Sequence, residues 1–157
     1  MAGRPIGYME RTRRYYEAQG FDKPYAWAHF DDVPFAPLAK PVAESTLALV
    51  TTMALHDRDE SEPRYVASGS ASEPPKRLYG EDLAWDRTAT HLEDRESYFP
   101  IDALHTLLRG GRIGALAERF HCVPTEYSQR RTRDADAPEI LTRCREDGAD
   151  IALLVPL

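Results

Sequence analysis

Two histidine–aspartate pairs are the groups in this sequence best suited to acid–base chemistry. His56 and Asp57 directly follow an apolar stretch, and His91 and Asp94 lie three residues apart in the sequence HLED. A histidine at a strand end can hold a proton for a leaving group or favour a nearby anionic nucleophile, because imidazole titrates near neutral pH. These four residues are the candidate catalytic residues. Solvated loop side chains are the simpler interpretation of both pairs.

Histidine and aspartate side chains also raise the question of a metal site, since they carry the nitrogen and oxygen ligands that metals use. Their spacing matches no metal-binding pattern, so we predict no bound metal and no cofactor in this chain. The residues weighed were His29, Asp31, Asp32, His56, Asp57, Asp59, His91 and Asp94.

The two cysteines, Cys122 and Cys144, form no CxxC motif and lie far apart in sequence. Two buried thiols are therefore expected. Cys122 stands beside His121, but adjacent residues in a strand point to opposite faces, so the two side chains would not meet. We predict that both cysteines pack in the core and that neither is catalytic.

Two apolar stretches predict the strands that would position these groups. Residues 46–55 are rich in β-branched side chains, and Ile151–Val155 follows a predicted helix over Ala137–Glu146 that ends at Gly148. Helix, glycine turn and strand make half a βαβ unit. We predict an α/β fold with an incomplete open, mostly parallel sheet flanked by helices, and with His56 at the carboxyl ends of the strands, where ligands collect.

Further elements are predicted along the chain. An N-terminal helix over 8–19, stopped by Gly20, leads into a proline-rich aromatic arm at 21–42 that is expected to be extended. Residues 1–42 thus form one unit and residues 43–157 the α/β domain. Within that domain the sequence predicts a mobile loop at 57–77, a short strand at 83–89, and helices at 101–108 and 113–120.

Length, composition and charge limit the classes of function. A chain of 157 residues that is 42% hydrophobic and 29% charged is typical of one globular domain. Its 20 basic and 26 acidic residues give a net charge of -6, which argues against nucleic acid as a partner. No apolar run reaches the ~20 residues of a membrane span, and the start lacks a secretory signal. We therefore expect a cytoplasmic protein with no membrane contact.

Three segments resemble the selenoprotein B family of glycine, sarcosine, betaine and D-proline reductases. They are DKPYAWAHFDDVPFAPLAKPVAESTLALVTT at 22–52, ATHLEDRESYFPIDALHTLLRGGRIGALAERF at 89–120, and APEILTRCREDGADIALLVPL at 137–157. The resemblance covers most of the chain but not the 57–77 loop. It implies reductive cleavage of a substrate bond, in which a selenolate or thiolate attacks and a thiol resolves the adduct.

In that family a motif holding selenocysteine or cysteine follows the segment equivalent to 152–157. Its absence here suggests that a selenocysteine codon was read as a stop after Leu157, so we expect selenocysteine in the full-length protein and an isolated chain that is inactive. The resemblance implies a homo-oligomer or another reductase subunit as partner, and a thiol reductant such as a thioredoxin-like protein. The alternatives are a non-catalytic partner subunit that uses the aromatic arm, and a small-molecule binding module. An exposed last strand predicts dimerisation or poor solubility.

Overall fold

The computed structural model describes residues 7–21, 23, 26–33, 36–59, 61–80, 91–125 and 128–157. The chain divides into two compact units, Met1–Phe35 and Ala36–Leu157, whereas the sequence predicted the boundary after residue 42. The first unit holds helix α1, Tyr8–Ala18, which confirms the predicted N-terminal helix. Gly20 follows it with a φ of +81°, a conformation that glycine adopts without strain. The Trp27 ring meets the Tyr8 ring edge-on, with centroids 6.3 Å apart.

In the described residues of the second unit, five strands form a sheet that is mixed but mostly parallel. Strand β1, Thr46–Thr51, pairs in parallel with β3, Ala115–Leu116, and β4, Arg119–Cys122, along one side. Strand β5, Ile151–Val155, pairs in parallel along the other side. The predicted α/β fold with a mostly parallel sheet and an N-terminal helix is confirmed.

Among the described elements, one long helix packs on each face of this sheet. Leu47 and Leu49 of β1 pack in the cluster that includes α2, Ile101–Arg109, while Ala48 and Val50 pack in the cluster that includes α4, Ala137–Glu146. Side chains alternate along a strand, so these two clusters lie on opposite faces. A short helix, α3, Gln129–Arg131, lies between β4 and α4. Helices α2 and α4 and strand β5 lie where the sequence predicts them.

The predicted helix at 113–120 is wrong, because this stretch forms β3 and β4. Its apolar residues recur at helical spacing, but its backbone bonds to β1 instead: Ala117 donates to the Leu47 carbonyl at 2.9 Å and Val123 to that of Thr51 at 3.1 Å. A short apolar run is ambiguous between helix and strand, and pairing with a buried neighbour decides it. The predicted strand at 46–55 is shorter than expected and ends at Thr51.

The stretch 57–77, which was expected to be a mobile loop, contains a four-residue strand of the sheet. Strand β2, Ala67–Ser70, pairs antiparallel with β4. Its small polar residues are typical of a loop, which is why the sequence did not predict this strand. Packing requires glycine at position 69, since a Cβ there would lie 2.6 Å from the Phe120 ring. The predicted strand at 83–89 lies outside the described residues. None of the described helices has the length and apolarity that crossing a membrane requires.

Candidate functional site at the carboxyl edge of the sheet

The carboxyl ends of β1, β4 and β5 meet at one edge of the sheet, here called the carboxyl edge. The Leu157 amide donates to Thr52 Oγ1 at 2.7 Å. Thr125 Oγ1 lies 3.2 Å from the Thr52 carbonyl oxygen and 3.3 Å from that of Leu157, so it can donate to either. The connection from β1 to β4 contains α2, which packs on one face, and the connection from β4 to β5 contains α4, which packs on the other. Ligands bind α/β sheets in the crevice at such a reversal.

His56 lies in the loop that follows β1 and bonds at both ring nitrogens. Its Nε2 is 3.0 Å from Glu62 Oε2, and its Nδ1 is 3.4 Å from the Tyr65 hydroxyl. The His56 and Tyr65 rings also stack, with centroids 6.2 Å apart. The hydrogen bond to His56 lowers the pKa of the Glu62 carboxyl below its ordinary value. These three residues, the His56 network, are the clearest group of titratable side chains at the carboxyl edge.

Local turn chemistry brings Glu62 back to His56. The Asp59 carboxylate accepts from the Ser61 amide at 2.9 Å and from its hydroxyl at 2.7 Å, and these bonds lower the pKa of Asp59. The Glu62 amide then donates to the Asp59 carbonyl at 2.9 Å, and Arg58 donates to the Glu62 carbonyl at 2.8 Å. Asp commonly starts such turns by bonding its own backbone two residues on. The turn therefore follows from the residues between His56 and Glu62.

Arg64 anchors the loop that carries Glu62 and Tyr65. Its buried guanidinium donates to the Pro124 carbonyl at the end of β4 and forms an ion pair with buried Asp136. The Asp136 side chain belongs to a π-helical turn, Thr132–Asp136, that leads directly into α4. Pro138 lacks an amide donor and its ring would crowd the carbonyl four residues back, which accounts for the wider turn.

The site is an open surface with a small cavity behind it. This cavity has a volume of about 10 Å³, close to the least that holds one water molecule. A substrate of ordinary size would therefore bind over the His56 network and not behind it. The residues that line the cavity are Met53, Ala54, Leu55, His56, Arg58, Tyr65, Ala67, Cys122 and Pro124.

The other predicted site residues lie apart from this network. Asp57 is exposed, and the acidic group in contact with His56 is Glu62. His91 Nδ1 accepts a hydrogen bond from the Glu93 amide at 3.3 Å. The Asp94 backbone carbonyl accepts from the Ser97 hydroxyl at 2.7 Å. His91 and Asp94 are both exposed, and no hydrogen bond between them is found in the described part of the chain, so their joint role stays a prediction.

A second histidine network, which the sequence did not indicate, joins β2 to α4. Fully buried His121 has Nδ1 2.9 Å from the Ser68 hydroxyl and Nε2 3.2 Å from the Asp147 carboxylate. Arg119 donates to Asp147 at 2.8 Å, and Arg143 donates to the Ser68 oxygen at 2.7 Å. The order Ser–His–Asp resembles that of a hydrolase triad. Since the imidazole is inaccessible and Arg143 engages the serine oxygen, we interpret this network as a brace for the edge strand.

Burial of His121 makes stability depend on pH. Desolvation is the main cause that lowers the pKa of His121, opposed by Asp147 and assisted by Arg119 and Arg143. The unfolded chain therefore binds a proton at higher pH than the folded chain does. We expect the free energy of unfolding to be level above about pH 6.5 and to fall below it, by up to about 1.4 kcal/mol per pH unit.

Urea unfolding between pH 5 and 8 measures this effect. A His121→Gln variant should lose the slope, and the control His29→Gln, at an exposed position, should keep it. A wild-type curve that rises as pH falls from 7 to 5.5 would contradict the expected sign.

The two cysteines are confirmed as buried thiols. Cys122 packs in the α2 cluster and Cys144 in the α4 cluster, so the sheet separates them and they cannot pair. Burial raises the pKa of Cys122 to about 12 and also raises that of Cys144. Neither thiol has the exposure or the low pKa of a nucleophile.

We therefore expect neither cysteine to react with an aromatic disulfide reagent while the chain is folded. At pH 8 the fraction of Cys122 present as thiolate should be on the order of 10³-fold smaller than that of a free cysteine. Reagent added in urea should titrate both thiols, which provides the internal control. Fast reaction of either thiol without denaturant would contradict the buried arrangement.

Among the described residues no group of three or more histidine, cysteine, aspartate or glutamate side chains is placed to hold a metal.

Comparisons of this chain with protein-family models, with curated proteins and with solved structures found no match.

Proposed function

We propose that this chain is a subunit or fragment of a selenocysteine- or cysteine-dependent reductase of the glycine, sarcosine, betaine and D-proline reductase class. The observation that carries the proposal is the carboxyl edge, where the end of β5 is bonded to the end of β1 through Leu157 and Thr52. A nucleophile placed after the segment 152–157, as in the resembled family, would emerge at the edge that also carries the His56 network.

The chain's own residues support part of this chemistry. A selenolate or thiolate would attack the substrate, form a bond to it and displace a leaving group, and a thiol reductant would resolve the adduct. Neither Cys122 nor Cys144 suits the nucleophile's role, because both thiols are buried and have raised pKa values. The proton that the leaving group takes up would come from the His56 network, since general acids act within hydrogen-bond reach of the group they protonate. The proposal includes a cytoplasmic location, a homo-oligomer or second reductase subunit, and a thioredoxin-like reductant.

The nucleotides after the Leu157 codon provide the first test. An in-frame TGA followed by a cysteine-containing motif and a further βαβ pattern is the expected result. The protein from the whole reading frame, with cysteine at the TGA position, should then oxidise a dithiol when glycine, sarcosine, betaine or D-proline is present. The matched control carries serine at that position and should be inactive. Unrelated sequence after Leu157 would overturn the proposal.

An apolar groove beside α4 favours a second candidate, a subunit that assembles through β5. The groove has a volume of about 460 Å³ and lies between α4 and the β1–β5 face. Leu154 is 67% exposed and Leu141 50% exposed at its wall. Among the described strands β5 pairs only with β1, and it carries no charge or proline to block an added strand.

This candidate commits to a second copy of the chain, paired through β5. Light scattering at micromolar concentration should give a dimer, and a Leu154→Glu variant should give a monomer. The control Leu38→Glu changes an exposed leucine elsewhere and should leave the dimer intact. A monodisperse wild-type monomer would exclude this assembly.

A further inference from the structure

Both nitrogens of His56 are already engaged by protein groups. Glu62 Oε2 lies 3.0 Å from Nε2, and the Tyr65 hydroxyl lies 3.4 Å from Nδ1. A substrate therefore finds no open nitrogen on this imidazole. Any proton that passes between His56 and a substrate must travel through one of the two partners.

The two partners differ in what they can pass on. The Glu62 carboxylate accepts the Nε2 proton, which leaves Nδ1 as the nitrogen that exchanges protons with the Tyr65 hydroxyl. The hydroxyl has a donor and acceptor sites of its own, and the Tyr65 side chain is 46% exposed. Tyr65 is therefore the member of the network that can touch both His56 and a bound molecule.

We propose that Tyr65 is the catalytic proton donor of the carboxyl-edge site. His56 and Glu62 are positioning residues: His56 returns a proton to the Tyr65 oxygen, and Glu62 orients His56. This assignment rests on the proposed reductase function and specifies its general acid. Both Glu62 and Tyr65 lie in the stretch 57–77, outside the segments that resemble the reductase family.

The proton balance of this step is simple. The Tyr65 hydroxyl gives its proton to the leaving group as the bond to the substrate breaks, and protonated His56 gives its Nδ1 proton to the tyrosine oxygen. His56 ends neutral, with its Nε2 proton still bonded to Glu62, and Nδ1 regains a proton from water by way of the Tyr65 hydroxyl. The chain supplies no electrons, which come from the nucleophile and the thiol reductant.

The network is held in place before any substrate binds. Arg64, next to Tyr65, is fixed by the Pro124 carbonyl and by Asp136, and Arg131 donates to the Arg64 carbonyl at 3.2 Å. The stacked His56 and Tyr65 rings, 28° from parallel, limit rotation of the phenol. A distance of 3.4 Å is long for a hydrogen bond, but catalytic hydrogen bonds are often long before substrate binds.

A measurement without turnover tests the network itself. Nitrogen-15 NMR of the imidazoles in the full chain should show neutral His56 protonated at Nε2. Glu62→Gln should reduce this tautomer preference, and Glu73→Gln, at an exposed glutamate that makes no described contact with His56, should leave it unchanged. A His56 protonated mainly at Nδ1 would overturn the proposed network whatever the reaction is.

Turnover by the protein of the whole reading frame tests the role of Tyr65. Tyr65→Phe should lower the rate by on the order of 10²-fold or more for a poor leaving group, and much less for one that needs no proton. His56→Gln should show the same pattern, and the double variant should lose no more than either single one. The control Tyr79→Phe, whose ring lies under Arg77, should keep the wild-type rate.

The outcomes separate this proposal from the reductase assignment. An active wild type whose Tyr65→Phe variant is equally active, with loss only in His56→Gln, would overturn the role of Tyr65 and keep the reductase. An inactive wild type with all four substrates would count against the reductase function and with it the acid role, while the tautomer result would still decide whether the network exists.

Discussion

An Asp136→Asn variant is expected to lose about 3 kcal/mol of the free energy of unfolding, although asparagine has nearly the same size and shape as aspartate. Asp136 and Arg64 form an ion pair whose side chains are only 8% and 7% exposed. Asparagine fits the same space but leaves the guanidinium charge buried without its counter-charge, a change that typically costs about 3–5 kcal/mol. We use the lower end of that range because the Pro124 carbonyl still accepts a bond from Arg64.

Urea unfolding would measure this loss as a midpoint lowered by roughly 1–3 M, since urea slopes are about 1–3 kcal/mol per M for small proteins. The matched control is Asp134→Asn, two residues before Asp136, because Asp134 pairs with the adjacent Arg133 and both side chains are more than half exposed. This control should cost less than about 1 kcal/mol. An Asp136→Asn midpoint equal to that of the control would show that the pair is not buried in solution.

The same variant links stability to the site. Arg64 holds the loop that carries Glu62 and Tyr65 against the end of β4. Loss of the Asp136 charge should therefore weaken the His56 network even at urea concentrations at which the chain is still folded. A double variant, Arg64→Met with Asp136→Leu, should recover much of the stability, because apolar pairs often replace buried ion pairs without loss.

A Gly114→Ala variant is expected to be destabilised by about 3 kcal/mol, at the upper end of what overpacking costs. An added Cβ would lie 2.6 Å from the Glu44 carbonyl carbon and 2.8 Å from the Ser45 nitrogen. Both contacts are with backbone, which cannot rotate away as a side chain would. The Gly114 amide also donates to the Val42 carbonyl at 3.2 Å and to that of Ser45 at 3.1 Å, so this approach joins the start of β3 to the start of β1.

Gly110→Ala is the control for this prediction. Gly110 ends α2 with a φ of -82°, and its nearest contact for an added Cβ is the Thr106 carbonyl oxygen at 3.4 Å. Alanine fits this conformation and should change the unfolding free energy by less than about 1 kcal/mol. Equal urea midpoints for the two variants would show that the close approach at Gly114 is absent in solution.

The candidate site was only partly predictable. A histidine directly after an apolar strand marks the carboxyl edge, and this pattern found His56. Nothing in the sequence spacing indicated that Glu62 would be its acidic partner, since Asp57 is nearer in the chain. The turn at Asp59 reverses the backbone and brings Glu62 back to His56. The ion pair of Arg64 with Asp136, which lies more than seventy residues away in sequence, then holds the loop in place.

The sequence by itself determined α2, α4, β5 and the start of β1 through their apolar patterns, and it determined the end of α1 through Gly20. Glycine also follows α2 and α4. These follow from local physics, because periodicity selects the face to be buried and glycine permits the terminal turn. Only the tertiary structure decided that 113–120 forms strands and that small polar residues at 67–70 extend the sheet. Pairing with β1 and β4 supplies hydrogen bonds that no local pattern encodes, and the same long-range contacts hold the His56 network together.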